Sequence, residues 1–306
     1  MDIRRPRSVE VSYATGISLV GTKIGPATTE VDARWTMAYA AALEDYLPCY
    51  LDTRRPDGIV THPVFPVCIE WPAAIALHDK MRESKLAQSE AARGVHATYD
   101  VTLHRAIRPP ERLTTMLTLA AVQRLKPGAY ELMRFDTVDA QGRPVCTTWY
   151  GTIYRGVEVA GPDRPAAEAP ALPTAPSVGD TARAEIPLAI STGAAHVYTE
   201  CARIWNPVHT DSAVAAAAAG LPAIILHGTA TMAMAVSKIV AAEAGYNPER
   251  VRRVHGRFAA MVLMPSMVTV RVNSRTPSSG GEAVSFEVLN ADGGRAIRDG
   301  MVLLRQ

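Results

Sequence analysis

Cysteine is scarce in this 306-residue chain, and the four present, Cys49, Cys68, Cys146 and Cys201, stand far apart with no C-x-x-C pair. That spacing gives neither a structural metal centre nor a disulfide framework, and it suits the reducing cytoplasm. An excess of one charge is also lacking, since 32 Lys and Arg face 30 Asp and Glu for a net +2. The arginines are scattered, as at Arg4, Arg5, Arg7, Arg252 and Arg253, without interleaved aromatics, so nucleic acid is not an expected partner. No apolar run reaches membrane-spanning length, and the basic N-terminus lacks the apolar stretch of a secretory leader; no membrane association is expected. What is present, 48% hydrophobic and 20% charged residues, is the composition of a soluble globular chain with a sizeable core. The length suits two domains.

Periodicity supplies the elements. Residues 1 to 12 read as a loose basic lead-in. Arg34 to Asp45 places Trp35, Ala38, Tyr39 and Ala42 on one face at helical spacing. Phe65 to Glu83 is apolar enough for a long buried helix despite Pro66 and Pro72. From Gly94 the period changes to two, and His96 to His104, Leu113 to Leu125, Ala129 to Val138 and Pro144 to Arg155 read as four strands. Lys126-Pro127-Gly128 and Asp139-Ala140-Gln141-Gly142 supply the turns. One long helix followed by antiparallel strands is an α+β pattern. Residues 161–180, GPDRPAAEAPALPTAPSVGD, form a Pro- and Ala-rich linker.

The segment beyond this linker repeats the first. Tyr39 stands six residues before Asp45, as Tyr198 stands six before Ile204. Leu47-Pro48-x-Tyr50 matches Asn206-Pro207-x-His209, and His62-Pro63 matches His227-Gly228 at the start of a long helix. Val95-His96 matches Val254-His255, and two Gly-containing hairpin turns close the series at 139–142 and 290–293.

Chemistry concentrates in residues 198–228. Asn206-Pro207-Val208-His209-Thr210-Asp211 is a polar turn in which Asp211 caps a helix from Ser212 to Ala219, and Gly220-Leu221-Pro222 ends that helix. His227-Gly228 then opens a helix running to Ala244. A proton-handling imidazole therefore lies close to a glycine amide at a helix N-terminus.

The order Tyr198, Asn206-Pro207-x-His209-x-Asp211, Gly220, His227-Gly228 resembles the hydratase motif of the MaoC-like, (R)-specific enoyl-CoA hydratases and dehydratases of the hot-dog fold. Their pattern is roughly S-G-D-x-N-P-x-H-x-D, followed later by P-I-x-H-G. The resemblance implies a double hot dog: an N-terminal repeat at 13–157 kept as scaffold, the linker at 158–181, and a C-terminal repeat at 182–306 carrying the motif. It implies that His209 shares a water that adds to an enoyl thioester, and that Gly228 offers its amide to the thioester oxygen. Asn206, His227, Tyr198 and Glu200 fall near the substrate. The implied partner is an acyl-CoA or acyl-carrier-protein thioester, in a tunnel between the two long helices and the sheet. No metal or redox cofactor is implied, and the fused pseudo-dimer works alone or as a homodimer.

One departure bears on the chemistry. Ile204 occupies the position of the family's catalytic Asp, with Ala202-Arg203 in place of Ser-Gly. Glu200, one helical turn earlier, is the nearest carboxylate in sequence, with a solvated helix face as its plainer role. Asp211 also reads simply as an N-cap, Tyr198 as core, and Gly228 as a glycine needed for close helix–sheet packing. In the first repeat Asp45 keeps the acid while Tyr50 replaces the histidine, and the two equivalent sites are expected on opposite sides of the pseudo-twofold axis. Besides hydration, two alternatives stand: a non-catalytic or altered acyl-CoA binder, favoured by Ile204, and a thioesterase using Glu70 or Asp45.

Overall fold

The period-two segments all become strands of one sheet. The structure is a computed structural model and describes residues 19–83, 88–91, 93–159, 161–171 and 182–306. The basic lead-in at 1–12 and residues 172–181 of the linker lie outside these. The first part of the chain gives β1 (Lys23–Val31), α1 (Ala33–Ala42), α2 (Pro48–Leu51), α3 (Pro66–Glu83), α4 (Gln88–Ala91), β2 (Gly94–Leu103), β3 (Glu111–Leu125), β4 (Gly128–Asp139) and β5 (Pro144–Arg155). The second gives β6 (Ala184–Ile190), α5 (Ala194–Ala202), α6 (Ser212–Ala219), α7 (Gly228–Glu243), β7 (Val251–Phe258), β8 (Ser266–Ser278), β9 (Gly281–Leu289) and β10 (Arg295–Leu304). The short helix α2 was not apparent in the sequence. Pro48 begins it because a first-turn residue needs no amide donor.

All ten strands join in the order β1-β3-β4-β5-β2-β7-β10-β9-β8-β6, every adjacent pair antiparallel. The order reads alike from either end, with β2 and β7 as the central pair. Their register sets Asp100 opposite His255 and Thr102 opposite Arg253. Asp100 accepts from the Arg253 guanidinium at 2.7 and 2.5 Å and lies 3.2 Å from His255 Nδ1. Burial would raise this carboxyl, but its hydrogen bonds with Arg253 and His255 and the guanidinium charge hold it below the usual carboxylate range.

Helices α3 and α7 lie on the concave face, each with a largely apolar surface sunk into one core shared by both halves. Helices α1 and α5 meet on the pseudo-axis. There the matched tyrosines approach with Tyr39 Oη 3.4 Å from Tyr198 Oη, and Trp35 Nε1 donates to the Cys201 carbonyl at 2.9 Å. On the opposite face of the sheet, Ala166 and Ala169 pack over Leu132 and Trp149, so the first part of the linker runs across the outside of the N-terminal strands. Among the described residues no helix is long and apolar enough to cross a membrane.

Candidate active site

The polar turn of residues 206–211 is built by its own side chains. Asn206 Oδ1 accepts from the Val208 amide at 3.3 Å, Pro207–His209 forms one turn of 3-10 helix, and Asp211 caps α6 by accepting from Ala213 and Val214. Asp211 is thus an N-cap. Downstream, an extended stretch pairs with residues 262–263, through Leu226 N to Val262 O and an Ile225–Leu263 bridge, and sets His227 and Gly228 at the start of α7.

These two segments bring the histidines together. The His209 and His227 rings stack with centroids 3.6 Å apart and planes 25° from parallel. His209 Nδ1 lies 2.8 Å from the Ile225 carbonyl, which can only accept, so the proton sits on Nδ1 and Nε2 keeps its lone pair. Burial lowers His209 to about 4, partly opposed by that carbonyl. Burial also carries His227 well below its ordinary value, with His209 adding to the effect. Both rings are neutral near pH 7. His227 Nε2 lies 3.3 Å from Thr199 Oγ1.

Gly228 is the first residue of α7, where amides have no carbonyl partner within the helix. The Phe258 ring covers it, and a Cβ at this position would lie 2.8 Å from Phe258 Cδ1. Glycine here is required by packing, and the same packing leaves an amide at the positive end of the helix.

Both histidines and Gly228 border a cavity of about 660 Å3. One wall is a stripe of α3, Val67, Trp71, Ile75 and His78, at spacings of four, four and three. Facing it are His96, Tyr150, Thr152 and Tyr154 of β2 and β5, with Phe258 of β7. Beside His209 the lining reaches the surface at Trp205, 59% exposed, and Met261, 41% exposed. Among the described residues no cluster of three or more His, Cys, Asp or Glu is placed to hold a metal.

Residues 173–291 match the MaoC like domain family, and residues 18–148 match the dehydratase domain region of the FAS1-like family. The solved MaoC-like dehydratase of Phytophthora capsici superposes with a TM-score of 0.77 at 18% identity, over 95% of this chain and 98% of that one. The peroxisomal multifunctional enzyme type 2 of Drosophila melanogaster gives 0.73 at 20% identity over 92% of this chain and 48% of its own. A Mycobacterium tuberculosis protein described as a double hotdog fold gives 0.58 at 16% identity over 93% and 95% of the two chains. Residues 173–291 are thus a MaoC-like domain, and the chain as a whole has the double hot-dog fold. The two domain matches support a hydratase or dehydratase, or more broadly a protein acting on acyl thioesters.

In this MaoC-like domain Ile204 sits 4% exposed in the cavity wall, where it offers methyl groups instead of oxygen. Arg203 before it takes the left-handed conformation at φ 58°, with its guanidinium 4.0 Å over the Trp35 ring. That aromatic seat makes a non-glycine tolerable where the family pattern has Gly. Asn206 also lines the cavity. Two of the expected substrate neighbours do not. Glu200 is exposed on the solvent side of α5 and accepts from the Trp205 indole at 3.4 Å, because helical spacing turns it away from the face that buries Tyr198 and Ala202. Tyr198 is fully buried at the pseudo-axis and is one step removed from the cavity, donating at 3.1 Å to Thr229 Oγ1, which lines it. The tunnel also differs from a slot between the two long helices, since α7 contributes only Gly228, Thr229 and Thr231.

The matching place in the first repeat is closed. His62 Nδ1 accepts from the Val64 amide at 3.1 Å, so Nε2 carries the proton toward Ser237 Oγ at 3.2 Å, while Ser237 also bonds Asp45. Tyr50 packs 5.7 Å from the His62 ring, and the space beside His62 is about 10 Å3. Asp45 therefore borders α7 and is absent from the lining of the His209 cavity. Glu70 is buried too, holding Thr148 Oγ1 at 2.5 Å and Tyr99 Oη at 3.5 Å. Sequence reasoning missed the α3 stripe, Phe258 and the Trp205–Met261 mouth. The stripe was discoverable as a helical face interrupted by His78, but an apolar face with one histidine reads first as core.

Proposed function

We propose that this protein is an acyl-thioester hydro-lyase, adding water to a 2-enoyl-CoA or removing it from a 3-hydroxyacyl-CoA. The supporting observation is His209: Nδ1–H is tied to Ile225 O, leaving a lone pair on Nε2 in a substrate-sized cavity that Gly228 also lines. In the hydration direction Nε2 takes a proton from water, the hydroxyl oxygen bonds to C3, and the proton passes to C2. The Gly228 amide stabilises charge on the thioester oxygen in between. His227 keeps the His209 ring neutral and in place by stacking. The acyl chain lies along α3 and the CoA leaves past Trp205 and Met261.

Ile204 favours a second reading, an acyl-CoA binder without turnover, because the water loses a carboxylate partner. Hydration of short, long and branched 2-enoyl-CoAs by the wild type, His209→Ala and Ile204→Asp separates the two. A hydro-lyase shows turnover that falls roughly 100- to 10,000-fold in His209→Ala and rises in Ile204→Asp. Tight acyl-CoA binding with no hydration of any chain by the wild type would instead establish the binder.

A further inference from the structure

The α3 stripe leads from the histidine pair to a buried carboxyl. Tyr198, 4.9 Å from the His227 ring, touches Tyr39, which packs 5.4 Å from Phe65 immediately before α3, so the Val67 end of the stripe is the end near the candidate site. From Val67 to His78 the helix advances about 16 Å. At that far end, β4 presents Glu131 on the same concave face as Ala129, Met133 and Phe135. Glu131 is 0% exposed, and neither carboxyl oxygen has a hydrogen-bond partner. It stands opposite Thr152, a lining residue, and its Oε1 is 4.0 Å from Nε2 of His78, another lining residue.

An unbonded buried carboxyl is costly, and a leucine would fill such a site without that cost. Its position directly behind Thr152 and His78, which line the end of a long cavity, gives it a use. Burial lifts Glu131 to about 8, so it is neutral at pH 7 and can both donate and accept. Arg93 and Arg155 line the same end and disfavour an ammonium group, while a carboxylate drawn in beside Glu131 would give up its water for a single O–H donor. A hydroxyl satisfies the neutral carboxyl in both senses.

We propose that Glu131, with Thr152 and His78, forms a polar terminus to the acyl tunnel and selects acyl thioesters bearing a hydroxyl at the far end of the chain. A path of about 16 Å corresponds to roughly a dozen extended carbon atoms, at the ~1.2 Å per bond of a fully extended backbone. This assignment rests on the acyl-thioester reading of the site and is tested by binding, which does not require turnover. Calorimetry compares ω-hydroxydodecanoyl-CoA with dodecanoyl-CoA on the wild type, Glu131→Leu and Glu131→Gln. The wild type should bind the hydroxylated ester about tenfold tighter, Glu131→Leu should reverse or erase that ratio, and Glu131→Gln should keep most of it. A wild-type ratio near one, or an equal weakening of both esters by Glu131→Leu, overturns the polar terminus; the latter would mark this path as the pantetheine arm's. Failure of both esters to bind the wild type would remove the acyl-thioester reading along with it, whereas binding without hydration removes only the hydro-lyase.

Discussion

Burial lowers His209 to about 4, so in the free protein the ring is a neutral base across the whole neutral range. If it takes the proton from water, kcat/KM is level from about pH 5 to 8 and falls on the acid side with a midpoint near 4. An acid limb near 6.5 would mean that the imbibed water of the working site cancels the desolvation. Gly228→Ala drives a Cβ against the Phe258 ring, with an expected cost of about 1–3 kcal/mol in urea unfolding and a fall in kcat from displacement of the amide. Glu131 is raised from 4.5 to about 8 by burial, so the folded state holds its proton more tightly than the unfolded state. Its contribution to stability is full below about pH 4.5 and is lost as pH rises through about 8. Glu131→Leu should therefore lose less stability than the wild type between pH 5 and 8; parallel curves would show the carboxyl already ionised in the fold. At this scale His209, His227 and Gly228 were legible because turn and cap residues leave a local signature. The roles of Glu131 and Phe258 were not, since they depend on which strand faces which helix.

Among elements, the strands were the most legible. Alternation with one buried face recurs in β3 and β4, and the turn residues between them leave little choice of register. The long helix α3 was also legible, but the open stripe along it was not, because a cavity wall and a core face share one hydrophobic pattern. The central pairing of β2 with β7 gave no local sign either. Asp100 reinforces it, and its removal leaves the Arg253 guanidinium without its anion and the buried His255 without its hydrogen-bond partner, so Asp100→Ala should cost about 3 kcal/mol in denaturant unfolding. Asp100→Asn should recover a part of that by keeping hydrogen bonds. A cost below about 1 kcal/mol would show that the strand ladder alone sets the junction.

The whole molecule behaves as one unit, because each half completes the other. Residues 182–306 alone would expose β7 along its full pairing edge and lack Val67, Trp71, Ile75 and His78 from the cavity wall. That fragment should self-associate or precipitate in size-exclusion chromatography and should not bind dodecanoyl-CoA. A monomeric, acyl-CoA-binding fragment would show that the C-terminal repeat carries a site of its own. The repeat itself was readable from matched landmarks such as Tyr39 and Tyr198, which prove to touch across the axis. Which of the two equivalent places stays open was not, since it turns on whether Tyr50 and Ser237 fill the space beside His62.

The covalent join between the repeats has a genetic consequence. In a dimer of two identical chains every substitution is made twice, so a change that closes one pocket closes both. Here one side holds Tyr50 where the other holds His209, and α3 can serve as a wall for a long ligand on one side alone. Selection could act on two sites with a shared ancestry as though they belonged to different genes.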